Sequence, residues 1–187
     1  MNISIVLKEK EIIMSNSSVR YIPSWYAVST KSRAEKKVFE RLNNLGFEVF
    51  LPLIITIKQW SDRKKKVSEP LIKSFVFVQT SNDKFSEVLE VPGVLNILKY
   101  LGKPAIVRDV EIENLKILIN NSENVKTIKP INLVGGELVE VVKGPFKGLF
   151  AKYINTAGKY RIIVEIQALQ SFIEVNLPLN TIQKVAK

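Results

Sequence analysis

The chain of 187 residues contains no cysteine and no histidine. Those absences remove a thiol nucleophile, a disulfide framework, a zinc finger and an imidazole base. There is no run of about 18 apolar residues, so no segment has the length and greasiness of a membrane-spanning helix. The leading stretch MNISIVLKEKEIIMSNSS carries acidic residues and has no small-residue cleavage site after an apolar core. It is a poor secretory signal, and a cytoplasmic address is the expectation. Neither a Walker-type glycine–lysine loop nor a GxGxxG turn occurs. No pair of carboxylates sits in a setting that suggests acid–base work. The chain reads as a binding protein rather than an enzyme, with no cofactor and no metal.

Positive charge is what the sequence has in surplus. The net charge is +10, unevenly spread. Residues 31–66 hold ten basic and four acidic side chains, and residues 133–187 hold seven and four. Clustered cations attract an anionic polymer through counterion release, which favours nucleic acid as a partner over charge kept only for solubility.

Hydrophobic periodicity divides the chain in two. Residues 1–23 form an arm of mixed polarity with little fixed structure expected, and the start is open between Met1 and Met14. WYAVST (25–30) alternates as a strand. KSRAEKKVFERLNNLG (31–46) reads as a helix with Ala34, Val38, Leu42 and Leu45 on one apolar face and Gly46 as its stop. FEVFLPLIITIKQW, KVSEPLI and SFVFVQT read as strands, the first two as a hairpin with SDRKKK near its tip. NDKFSEVLEVPG (82–93) suggests a short helix ended by Pro92 and Gly93. VLNILKYLG and PAIV suggest strand and turn. RDVEIENLKILIN (108–120) suggests a helix with Asp109 at its N-cap. Residues 24–120 thus form an α+β domain. The polar stretch 121–132, with Pro130, reads as a linker. After it, ELVEVV, LFAKYI, YRIIVEI, SFIEVNL and TIQKV give five short strands, a small β-barrel over residues 133–187.

The turn KGPFKG lies between the first two of these strands. Gly144 and Gly148 can take positive φ, Pro145 restricts its own φ, and Phe146 offers a ring at the rim. GELVEVVKGPFKGLFAKYI resembles the KOW motif of the NusG family of transcription elongation factors, with Ala151 where the family often has another glycine. WYAVSTKSRAEKKVFERLNNLGFEVFLP is similar to the opening of that family's N-terminal domain. KVSEPLIKSFVFVQT and VPGVLNILKYLGKPAIV match its next blocks, although IKSF stands where the family has a phenylalanine-proline-glycine-tyrosine turn or a relative. The wording VSEPL and PAIV is closest to the specialised RfaH and UpxY-like paralogues that serve polysaccharide operons. The resemblance covers residues 24–187 and implies an N-terminal NusG-like mixed sheet with helices, followed by a five-stranded SH3-like barrel.

The resemblance also implies roles. Phe75 and Phe77 share one face of a strand that is apolar on both faces. They are either core or, as the family has it, contacts to the clamp helices of the largest RNA polymerase subunit, with Ile97, Tyr100 and Ile106. Arg33, Lys37 and Arg41, spaced by four, form a basic stripe that is either solvated or meets the non-template DNA strand together with Lys31. Arg63, Lys64, Lys65 and Lys66, with Lys58 and Trp60, make a basic hairpin tip that is either solvated or touches nucleic acid. Gly144, Pro145, Phe146, Gly148 and Phe150 mark the face through which the family's barrel recruits a ribosomal protein, a termination factor or RNA. The implied protein is a monomeric antitermination factor, operon-specific, with two alternatives. One is a general elongation factor of the same family. The other is a ribosomal or RNA-binding KOW protein.

Overall fold

In the computed structural model the described residues are 22–60, 63–121, 125–128, 136–156, 159–177 and 179–185. Nearly all of the expected N-terminal arm, residues 1–21, lies outside them, as do Ser61 and Asp62 at the hairpin tip.

The first sheet follows from alternation. Strand β1 (Ser24–Thr30) pairs antiparallel with β5 (Phe75–Thr80), placing Ala27 opposite Phe77 and Tyr26 opposite Val78. The short β2 (Glu48–Phe50) adds to β5, and β6 (Val94–Ile97) and β9 (Ile106–Val107) add to the far edge of β1. Side chains alternate across a strand, so Tyr26, Val28, Val76 and Val78 point one way and Trp25, Ala27 and Phe77 the other. Helix α1 (Glu35–Asn44) covers the first face, and its Val38 and Leu42 join those residues in one buried cluster.

Local geometry explains where α1 begins. The sequence suggests residue 31, but Arg33 sits at φ +63 in a turn, and the helix starts at Glu35. Gly93 lies against the helix at φ +101, where an added Cβ would stand 3.0 Å from Val38 Cγ2. Only glycine fits there without strain. Its carbonyl accepts the Lys31 N–H at 2.9 Å, locking the turn to β6. Leu45, expected on the apolar face, is instead the exposed C-cap residue.

Two small hairpins leave the sheet. Strands β3 (Leu53–Gln59) and β4 (Lys64–Pro70) form a two-stranded ribbon, in register from Leu53–Pro70 to Gln59–Lys64. Helix α2 (Phe85–Leu89) follows β5, after a 3-10 turn at Asn82–Lys84. Strands β7 (Lys99–Tyr100) and β8 (Lys103–Pro104) make the second hairpin, turning through Leu101 and Gly102, both at positive φ.

Helix α3 (Asp109–Ile119) roofs the other face of the first sheet. Its N-cap residue is Arg108, not Asp109, and Glu111 Oε2 accepts the Arg108 N–H at 2.8 Å. Asp109 is the first helical residue instead, where a carboxylate suits the helix dipole.

The second sheet runs β10 (Val125–Ile128), β14 (Ser171–Val175), β13 (Lys159–Ile166), β12 (Phe150–Thr156), β11 (Glu137–Val141) and β15 (Ile182–Lys184). All five strands read from the sequence are present. The linker reading of 121–132 needs correction, since residues 125–128 pair with β14. Strands β10 and β15 end the path without pairing to each other, so the described strands form an open six-stranded sheet, not a closed five-stranded barrel.

The two sheets share a core. Ile112, Leu115 and Leu118 of α3 lie in one buried cluster with Trp25, Ala27 and Phe77 on one side and Val139, Val141, Phe146, Leu149, Ile162 and Ile173 on the other. No helix among the described residues is long and apolar enough to cross a membrane.

Candidate functional site

A groove of mixed polarity opens where the two sheets meet, with Lys103 and Glu165 among its lining residues. The β7–β8 hairpin and β9 present Tyr100, Leu101 and Ile106, exposed by 65, 86 and 57%. Gln167, Ala168 and Gln170 of the turn after β13 stand across from them. The enclosed volume is about 710 Å³. Isolated exposed apolar residues are common, but three large ones gathered in a concave surface mark a binding surface.

Of the contact set read from the sequence, Tyr100 and Ile106 line this groove. Phe75 is half-buried at the head of β5 and packs on the shared core. Phe77 is fully enclosed, its ring centroid 6.2 Å from that of Phe50. Ile97 is buried on the opposite face of the sheet, paired across from Val28. The expected ledge of Phe75 and Phe77 is therefore corrected. The second apolar face of β5 is covered by the chain's own α3, and Phe77 and Ile97 are core residues.

The basic features also rearrange. Lys31 and Arg33 are exposed ahead of α1, and Lys37 is exposed on it. Arg33 is outside the helix, so the three cations spaced by four do not make one helical stripe. The Arg41 guanidinium donates through Nη1 to the Pro92 carbonyl, which ties it to the loop after α2. Lys36 Nζ donates to the Ser68 carbonyl at 2.9 Å and joins α1 to the base of the β3–β4 ribbon.

On the ribbon, Lys64, Lys65 and Lys66 belong to β4 rather than to a loop. Lys64 and Lys66 share a face with the exposed Ile55 and Ile57, because Lys66 is opposite Ile57 and Lys64 opposite Gln59. Lys58 and Lys65 lie on the other face, where Lys65 Nζ stands 5.6 Å from the Trp60 ring centroid. That distance is within cation–π range. Trp60 N–H donates to the Arg63 carbonyl at 2.8 Å, holding the tip together. Lys58 also pairs with Glu69, and this hydrogen bond holds the Glu69 carboxyl below its ordinary pKa.

The KOW-like turn is packed inward. Gly144 and Gly148 take φ of +84 and +87, as the turn requires. Phe146 is 2% exposed, so it is part of the shared core and not a ring at the rim. Phe150 is half-buried, and its main chain is held by α3. Asn114 Nδ2 donates to the Phe150 carbonyl at 2.8 Å, and Asn114 Oδ1 accepts the Phe150 N–H at 3.0 Å. Glu111 Oε1 accepts the Gln167 N–H at 2.7 Å, and Asn121 Nδ2 donates to the Pro145 carbonyl at 2.8 Å. Three polar side chains from α3 and its end thus bind the backbone of the second sheet. The sequence reading did not single them out. The available signal was EIENLKILI, where Glu111 and Asn114 interrupt a stripe that is otherwise Ile112, Leu115 and Leu118.

The family model described as NusG, transcription termination factor nusG, matches residues 23–116, about half of the chain. The transcription termination/antitermination protein NusG of Rickettsia felis is 26% identical over 176 residues, covering 86% of this chain and 90% of that protein. The transcription elongation factor Spt5 of Acidianus ambivalens is 24% identical over 167 residues, covering 89% and 97%. A solved structure concerned with domain interaction in Thermotoga maritima NusG covers 88% of this chain and 98% of its own, at 22% identity and a TM-score of 0.46.

Proposed function

This chain belongs to the NusG family, and we propose that it rides on elongating RNA polymerase and suppresses pausing and termination. It grips the clamp helices of the largest subunit and touches the non-template DNA strand. The observation that carries this reading is the groove of Tyr100, Leu101 and Ile106, where three large apolar side chains open to solvent line one concavity. A helix laid into such a groove buries apolar area worth about 25 cal/mol per Å². Lys31, Arg33, Lys37 and the ribbon lysines supply phosphate contacts that fix register without reading bases.

The second sheet is the KOW module. Phe146 and Phe150 reach a ribosomal protein, a termination factor or RNA once the hydrogen bonds from Glu111, Asn114 and Asn121 release it. Action confined to polysaccharide-type operons is a second reading, favoured by the wording VSEPL and PAIV in β4 and at β8–β9. Genome-wide occupancy of polymerase separates it from general action. The function itself is tested by single-round transcription on templates with defined pause sites. Shortened pauses are expected. Identical pause lifetimes with and without the protein contradict the proposal.

A further inference from the structure

A second concave surface lies on the α1 side of the first sheet, across the sheet from the face that α3 covers. It is a cleft of about 480 Å³ between the last turn of α1 and the end of α2, lined by Arg41, Asn44, Leu45, Glu87, Glu90, Val91 and Pro92. That volume lies within the usual range for ligand sites, about 300–1,000 Å³. Its floor is apolar, and Leu45 is exposed by 60% although helical spacing would place it in the core. Leu89, next to Glu90 in the chain, is exposed by 45%.

The electrostatics select the occupant. Arg41 is the one cation of the lining, and its guanidinium is already turned onto the Pro92 carbonyl. Glu87 and Glu90 are exposed and take part in no ion pair among the described residues. Leu45 caps the C-terminus of a ten-residue helix, whose carbonyl end adds negative potential. Two carboxylates against one guanidinium leave this greasy-floored spot with a small surplus of negative charge on a chain of net charge +10.

We infer that this cleft docks a basic, apolar peptide segment of a partner protein, with an aliphatic or aromatic side chain on Leu45, Val91 and Pro92 and a lysine or arginine between Glu87 and Glu90. The cleft shares no lining residue with the groove of Tyr100, Leu101 and Ile106 and lies one helical turn beyond Lys37, so a partner seated there sits beside the proposed DNA contacts of α1.

The test uses the full chain, methyl-labelled at leucine and valine, titrated with a short synthetic peptide alternating lysine and leucine. A glutamate–leucine peptide and a lysine–serine peptide are the controls. The expected result is saturable shifts at Leu45, Leu89 and Val91 with the lysine–leucine peptide alone. Glu87→Lys with Glu90→Lys weakens them at least about tenfold, and Leu45→Ser weakens them severalfold. Both sites are on the surface, so the variants stay folded. Four results overturn the inference. The first is no shift at these methyls at about 1 mM peptide. The second is binding that survives the charge reversal. The third is a dimer that forms through the cleft and is lost in the same variants. The fourth is binding that appears only when residues 1–21 are removed, which would give the cleft to the chain's own leading segment.

Discussion

The side-chain amide of Asn114 pairs with both main-chain groups of Phe150, donating to the carbonyl at 2.8 Å and accepting from the N–H at 3.0 Å. One residue of α3 thus does the work of a strand neighbour. Strand β13 pairs with β12 only from Ile163 opposite Lys152, short of Phe150, and Asn114 takes the place the ladder leaves empty.

Removing that amide exposes the dependence. Asn114→Leu strands a part-buried donor and a part-buried acceptor, at about 1–2 kcal/mol each, the lower part of the range for buried groups. The expected outcome is a loss of about 2–4 kcal/mol in unfolding free energy, together with faster amide exchange at Phe150. Denaturant titration and hydrogen exchange measure the two.

Ser74 is the third residue of IKSF, just ahead of β5. It sits at φ +63, and its N–H is held by the buried Glu35 carboxylate at 2.8 Å. Left-handed backbone costs a non-glycine residue about 1–2 kcal/mol, partly offset by glycine's greater unfolded freedom. Ser74→Gly is expected to stabilise the protein by up to about 1 kcal/mol, raising Tm by about 2–4 °C for a chain of this size. Thermal unfolding reads it directly.

Glu69 titrates below its ordinary range because Lys58 hydrogen-bonds it. A carboxylate with a depressed folded pKa contributes stability that is present above its unfolded pKa and lost as pH falls through the folded value. On acidification the ribbon therefore loses the Lys58–Glu69 pair below the usual glutamate midpoint. Carbon-detected NMR titration should show Lys58→Met shifting the Glu69 midpoint upward. An unchanged midpoint would mean the pair does not form in solution.

The ribbon lysines give a salt-dependence prediction. Lys64→Ser, Lys65→Ser and Lys66→Ser together should weaken binding to bubble DNA. They should also flatten the slope of log K against log salt by about 2–3 for duplex-like contacts. Lys37→Ser should remove up to about 1 more if α1 lies on the same strand.

Much of this fold was legible in the sequence. Strand β1 was set by alternation, β5 and β11 through β15 by short β-rich runs bounded by turn residues, and Gly46, Gly144 and Gly148 hold the positive φ of their turns. Strand β10 was hidden because VKTI sits in a polar stretch and is defined only by its partner β14. Phe77 shows why the site was harder. Its strand is apolar on both faces, and the sequence does not say whether a partner or the chain's own helix covers the second. The cover comes from α3, more than thirty residues onward, whose polar positions are spent on a different sheet. The sequence pointed to Tyr100 and Ile106, which are exposed in the groove, but not to Leu101 between them, because its exposure follows from the tight β7–β8 turn.

Under the proposed function, the groove of Tyr100, Leu101 and Ile106 binds RNA polymerase. The most direct measurement is the affinity of the full chain for purified core polymerase, compared with a Tyr100→Asp plus Ile106→Asp variant shown to be folded by NMR. Both side chains are more than half exposed, so stability is preserved. Binding by the unaltered chain and at least a tenfold loss in the variant, about 1.4 kcal/mol or more, are expected. Equal affinity for the two proteins, or no binding by either, would contradict the proposal.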